Sequence, residues 1–155
     1  MKSPNKPLKR HKALQPLSRE HHHGLLLCWK IKTGFKNHIA TERIWTYATW
    51  FYKTHLIPHF RVEEKHIFTI LNNSNKLVIE AIEQHRELQM LFTESAKDTQ
   101  TLSAIEILLE KHIRFEERVL FPEIQQTATE SQMLEIESLH QSEPFHDNLT
   151  DEFWK

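Results

Sequence analysis

TLSAIEILLEKHIRFEE, residues 101–117, carries apolar side chains at Ile105, Leu108 and Phe115, and Val119 continues the row just beyond it. Intervals of three and four place these positions on one face of an α-helix. The spacing predicts a helix over roughly residues 101–126, ending near Pro122, which cannot extend a helix without losing a backbone donor. His112 falls on the same row. The helix is therefore expected to turn an imidazole inward among aliphatic neighbours.

The same period recurs upstream. A first helix is expected to follow Ser18 as N-cap and to end near Gly34, with Leu14, Leu17, His21, Gly24, Cys28, Ile31 and Phe35 inward. A second is expected from Thr41 to about Leu71, rich in aromatic residues and kinked at Pro58. After Asn72-Asn73-Ser74-Asn75, a third runs from about Lys76 to Phe92 with Val78, Ala81, His85, Leu88 and Phe92 inward. Thr129 begins a short helix to about Gln141 through a Thr-x-x-Gln capping box. The residues PFHDNLTDEFWK, 144–155, have no convincing period. The fold class read from this pattern is all-α, an up-down-up-down four-helix bundle with a short fifth C-terminal helix. The expected divisions are a flexible basic tail (1–13), the bundle (14–128), and a short helix with a C-terminal tail (129–155).

Composition narrows the chemistry. Two glycines in 155 residues cannot supply a GxGxxG fingerprint, and Gly24 and Gly34 do not fit a phosphate loop. One cysteine, Cys28, rules out an internal disulfide or an all-cysteine metal site, and it reads as a small buried hydrophobe. A net charge of −1 gives no reason to expect nucleic acid. The densest apolar run, LLLCW at 25–29, is too short for a membrane span. The start MKSPNKPLKRHK is not followed by an apolar segment, so no signal peptide and a cytoplasmic location are expected.

What stands out is histidine, twelve in all. His59-Phe60-Arg61-Val62-Glu63-Glu64 matches His112-Ile113-Arg114-Phe115-Glu116-Glu117, so H-x-R-x-E-E occurs on the second and fourth helices. Phenylalanine follows each histidine by nine residues, at Phe68 and Phe121. His and the first Glu are one turn apart on one face, while Glu64 and Glu117 point about 100° away. A third H-x-x-x-E pair, His38/Glu42, falls at a loop and helix start. Several buried neutral imidazoles are costly without a shared purpose, and a metal ion supplies one. His21 is the inward histidine of the first helix, with His22 the alternative.

Together the motifs L-S-R-E-H-H-H-G-L-L (17–26), H-F-R-V-E-E (59–64), E-Q-H-R-E-L (83–88) and H-I-R-F-E-E (112–117) resemble the hemerythrin-like, HHE cation-binding domains. The resemblance covers about residues 14 to 126. It implies a non-haem di-iron site held by His21, His59, Glu63, His85, His112 and Glu116, both glutamates bridging two iron ions that share an oxo or hydroxo bridge. It also implies an open position for O₂ or a related small ligand. Oxygen-carrying members have a second histidine one turn after the third-helix one. Here that residue is Gln89, with Ala81 a turn earlier, so the pattern falls one histidine short of a carrier. Iron or oxygen sensing, iron handling, or peroxide or NO chemistry stay open.

Water and His55 are the candidates for the position thus left, His55 reading first as a plain core or surface histidine, and His66 is ambiguous. His140 and His146 are expected outside the bundle and exposed to solvent. Two other readings compete. A ferritin-like carboxylate site would use Glu-x-x-His pairs, of which the chain offers Glu20/His23, Glu63/His66 and Glu137/His140, but none on the fourth helix. A metal-free helical interaction module is the second.

Overall fold

The computed structural model describes residues 9–140 and 144–155, and residues 1–8 of the tail expected over 1–13 lie outside them. Helix α1 spans Gln15–Lys36 after a short 3₁₀ turn at Lys12–Leu14. Helix α2 begins at Thr41–Phe51 and continues unbroken through a π turn (Tyr52–Leu56), Ile57–Val62, a second π turn (Glu63–Ile67) and a closing 3₁₀ turn (Phe68–Ile70). Helix α3 is Lys76–Thr93. Helix α4 runs Thr99–Phe115, a π turn at Glu116–Leu120, then Phe121–Thr127. Helix α5, Glu130–Leu139, starts at the expected capping box on Thr129.

Two apolar clusters are stacked along the bundle, and their order along each helix gives its direction. On α1, Leu17 belongs to one cluster and Leu27 to the other; on α2 the order reverses, Phe60 then Ile67. It reverses again on α3 (Ala81, then Leu88) and on α4 (Ile113, then Leu120). The helices thus run up, down, up and down. Between the clusters, every helix carries a buried polar residue at the same level: His21, Glu63, His85 and Glu116.

Local details depart from the sequence expectation for physical reasons. Ser18 does not cap α1: its hydroxyl donates to Glu117, and the helix starts earlier, with Pro16 in its first turn. Gly34 is not a terminal residue but a close approach. A Cβ there would lie 2.6 Å from Ile44 Cδ1 and 3.1 Å from Phe153 Cε1. The left-handed residue after α1 is His38, at φ 55°. Pro58 is met by the π turn that precedes it, and Pro122 likewise follows the π turn of α4. That second widening also moves Val119, expected inward, to the surface (44% exposed) and brings Leu120 and Phe121 into the core. One additional residue per turn shifts the apolar row by one position.

Both ends of the described residues are packed against the bundle. The Arg10 guanidinium donates to the Glu117 carbonyl and to Gln125, and Ala13 is fully buried. Residues 144–155, which show no period, form a strap across α1 and α2. Its Asp147 accepts from Lys30 and from the Tyr47 hydroxyl, and Asp151 takes a two-point bond from Arg43. Phe153 is 2% exposed, wedged beside Gly34, and Trp154 stacks under the Lys30 ammonium at 3.9 Å. Burial raises the Asp147 carboxyl, but Lys30 and Tyr47 outweigh it and hold it below its ordinary value. Phe153→Ala is expected to lower stability by about 3 kcal/mol, as for other buried aromatics. An unchanged denaturant midpoint would show that the strap adds nothing to the core.

Candidate metal centre

The six residues singled out from the sequence meet in the layer between the two apolar clusters. Four Nε2 atoms point into it, one from each helix: His21 (α1), His59 (α2), His85 (α3) and His112 (α4). His21 Nε2 lies 2.8 Å from Glu116 Oε1 and 3.7 Å from Glu63 Oε2. His59 Nε2 is 3.2 Å from Glu63 Oε2, one turn along the same helix, and His112 Nε2 is 3.2 Å from Glu116 Oε2 in the same relation. His85 Nε2 is 3.1 Å from both Glu63 Oε1 and His112 Nε2.

Donor atoms fall into two groups, each within 4.8 Å of one another: His21, His59, Glu63, Glu116 and Glu63, His85, His112, Glu116. Both groups contain both glutamates. The carboxylates are 0% exposed, and His59 Nε2, both Glu63 oxygens and Glu116 Oε2 have no hydrogen-bond partner. Buried charge of this kind is costly unless cations or metal ions answer it. Imidazole nitrogens and carboxylate oxygens suit first-row transition metals such as iron, so the residues present fit a two-metal site.

The other nitrogen of every inward imidazole is engaged. Nδ1 of His21 meets Glu117 Oε2, Nδ1 of His59 meets Glu20 Oε1, and Nδ1 of His85 meets Glu64 Oε2, each at 2.7 Å. Nδ1 of His112 meets Gln84 Oε1, also at 2.7 Å. All four partners are acceptors, so each ring donates outward and presents the Nε2 lone pair inward when neutral. Sequence reasoning missed these roles. Glu64 and Glu117 do point away from the first Glu of their motifs, and that turn carries them onto the histidine of a neighbouring helix. Glu20 and Gln84 each directly precede an inward histidine, an adjacency that was visible in E-H at 20–21 and Q-H at 84–85. Phe68 and Phe121 finish the pattern by stacking on His85 and His21, at 5.5 and 5.3 Å between ring centres. Phe60 covers the other face of the layer, stacked on His85 at 3.9 Å.

With no metal bound, protons answer the carboxylates. Burial lowers the imidazole of His59, but Glu63 and Glu20 outweigh it and raise it to about 9. His21 and His85 are pushed well above the ordinary histidine value against the same burial, chiefly by Glu116. Burial and Glu116 push the Glu63 carboxyl up, but His59 and His21 hold it below the usual range. Glu116 is held well below it by His112 and its neighbours, against burial.

Other histidines take other places. His22 is exposed on the outer face of α1, and His38 is exposed in the turn after it. His55 packs against Trp50, Phe51 and Phe145 and belongs to neither donor group. His23, His66 and His140 are likewise outside both groups, so none of the Glu-x-x-His pairs closes on the layer. His140 is not solvent-exposed as expected: its side chain is 17% exposed and hydrogen bonds Glu20. Gln89 lies exposed, and Ala81 is fully buried in an apolar cluster. Cys28 is buried, its thiol pushed up to about 12 by burial, which makes it inert.

An antiparallel four-helix bundle with imidazole and carboxylate donors from all four helices defines a cation-binding bundle protein. Residues 27–124 match the hemerythrin HHE cation-binding domain, and the chain belongs to that family. The matched segment contains His59, Glu63, His85, His112 and Glu116; His21 precedes it, and its place rests on the bundle geometry. No match was found among curated proteins or among solved structures.

Removing an Nδ1 acceptor frees its ring to turn. Glu117→Ala and Glu64→Ala are each expected to weaken metal binding about 10- to 100-fold, whereas Glu123→Ala, on the outer face of α4, is expected to leave it unchanged. Equal affinities in titration calorimetry would remove the orienting role. A pH dependence follows from the raised imidazoles. For His59 in the metal-free protein that stabilisation is present below about 6.5 and lost as pH rises through about 9. Metal must displace those protons, so its affinity is expected to climb between pH 6 and 9 with proton release on binding. A flat affinity over that range would contradict protonated imidazoles.

Proposed function

We propose that this protein is a non-haem di-iron protein that binds O₂ or a related small ligand, in iron or oxygen sensing or handling. The observation that carries the reading is the sharing of Glu63 and Glu116 between two four-donor groups, which suits two ions bridged by two carboxylates. His21 and His59 would hold one iron ion and His85 and His112 the other. Such a pair supplies an open coordination position and redox chemistry for a small ligand.

The chain's own residues do the rest. Glu20, Glu64, Gln84 and Glu117 hold the imidazoles in register and keep Nε2 inward. Phe60, Phe68 and Phe121 cover the ring faces of His85 and His21 and keep the local dielectric low. With neither Gln89 nor Ala81 able to donate an imidazole, the donor set is six residues, which favours sensing or handling over reversible transport.

Aerobically purified protein is expected to hold about two iron ions per chain and to absorb in the near ultraviolet by charge transfer. His21→Ala and Glu63→Ala are expected to lose iron, and His22→Ala to keep it, by elemental analysis. Equal iron in all three variants would refute the assignment. Wild-type protein that takes up no iron, or one ion only, would refute the di-iron reading.

A further inference from the structure

A cavity of about 520 Å³ opens onto the His21, His59 and His112 side of the layer, between α1 and α2 and beneath Pro144–His146 of the strap. A diatomic ligand needs little more room than a water molecule, about 30 Å³. The volume is instead that of an organic-ligand pocket, which commonly measures about 300–1,000 Å³. Its walls are largely apolar, with Phe51, Leu56, Phe60, Leu109, Ile113 and Phe145 among them.

Two polar groups in the wall are buried, unpartnered and outside the metal layer. His23 Nδ1 and His55 Nε2 are buried atoms without a hydrogen-bond partner, and both side chains line the cavity. Neither belongs to the donor groups or to the set that orients them. Both rings are fixed by aromatic packing. His23 stacks on Phe145 at 4.0 Å, and His55 sits against Phe145 at 4.7 Å and Phe51 at 5.2 Å. Burial holds the His55 imidazole below its ordinary value, so it is neutral near pH 7. A neutral imidazole offers one donor and one acceptor nitrogen, and it suits a hydroxyl in either role.

Charge narrows the ligand further. Among the described residues no lysine or arginine lines the cavity, and the Glu20 carboxylate is already shared between His59 and His140. His21 and His59, the raised imidazoles in the wall, are taken up by Glu116 and Glu117 and by Glu20 and Glu63, so an ionised ligand would be desolvated there without a free counter-charge. Flat aromatic walls favour a flat ligand, through offset stacking and edge contacts.

We propose that this cavity binds a small uncharged aromatic molecule carrying a hydroxyl group, its ring among Phe51, Phe60 and Phe145 and its hydroxyl on His55 or His23. The pocket places such a ligand beside the proposed metal centre, and so names an organic substrate or effector class for it. Its binding uses none of the metal donors and rests on the metal reading for that role alone.

Phenol is the probe, with toluene and benzoate as comparators, titrated by calorimetry into the protein as purified, with metal content measured in parallel. Phenol is expected to bind at least 10-fold more tightly than toluene, and benzoate not at all. His55→Leu and His23→Leu each replace an unpartnered polar group by an apolar one, so they are expected to fold as well as the parent. The double variant is expected to bind phenol about 10-fold more weakly, no better than toluene, with its iron content unchanged. Phenol binding no tighter than toluene in the wild-type protein, benzoate binding as well as phenol, or a double variant with undiminished phenol affinity would each overturn the proposal. Phenol selectivity in a protein without iron would overturn the metal reading alone, and iron without phenol selectivity the pocket alone.

Discussion

Two carboxylates with no access to solvent, Glu63 and Glu116, are the constraint that organises this molecule. Left alone in the middle of a bundle they would be strongly destabilising, because a low-dielectric interior cannot replace the water they give up. The fold meets the charge with four imidazoles, one from each helix. Without metal, protons on His21, His59 and His85 balance the carboxylates; with metal, the inward nitrogens are already aimed at a common volume. The two apolar clusters above and below lower the dielectric around the layer and set the level at which the helices must align.

The arrangement is built twice. Each H-x-R-x-E-E segment gives an inward histidine and an inward glutamate, and its second glutamate holds the histidine of a neighbouring helix. A phenylalanine nine residues on then stacks against that same ring. In both copies the inward glutamate opens a π turn, at Glu63–Ile67 and Glu116–Leu120. Such turns are uncommon and concentrate at functional sites. Here the widening lets the glutamate, the next residue and the later phenylalanine serve one layer. The supports of the two segment histidines differ in charge: Glu20 supports His59, whereas a neutral Gln84 supports His112. The half built by His21 and His59 is therefore the more negatively charged, and it faces the cavity.

The strap adds a second asymmetry. By packing Phe153 against Gly34 and anchoring Asp147 on Lys30 and Tyr47, it holds Phe145 and His146 over one side of the bundle. The cavity exists because a segment with no secondary structure of its own spans the gap between α1 and α2.

Helical period determined most of the architecture in advance. The bundle and most of the inward rows follow from spacings of three and four, because burying an apolar stripe leaves an amphipathic helix little choice of orientation, while the set of six converging residues was implied by the resemblance of the motifs to the HHE domains. What lay beyond the sequence was anything set by the neighbouring helix. Val119 moved out because a π turn changes the phase, and no local residue choice announces that turn. Ser18 gave up its capping role because Glu117, ninety-nine residues away, offered a better partner. The Nδ1 acceptors Glu20, Glu64, Gln84 and Glu117 look like ordinary surface residues until another helix brings an imidazole to them. The chain therefore specified which groups would face inward, and only the packing of helix against helix decided which atoms would meet, since hydrogen bonds across a bundle depend on register and rotation that no single helix encodes.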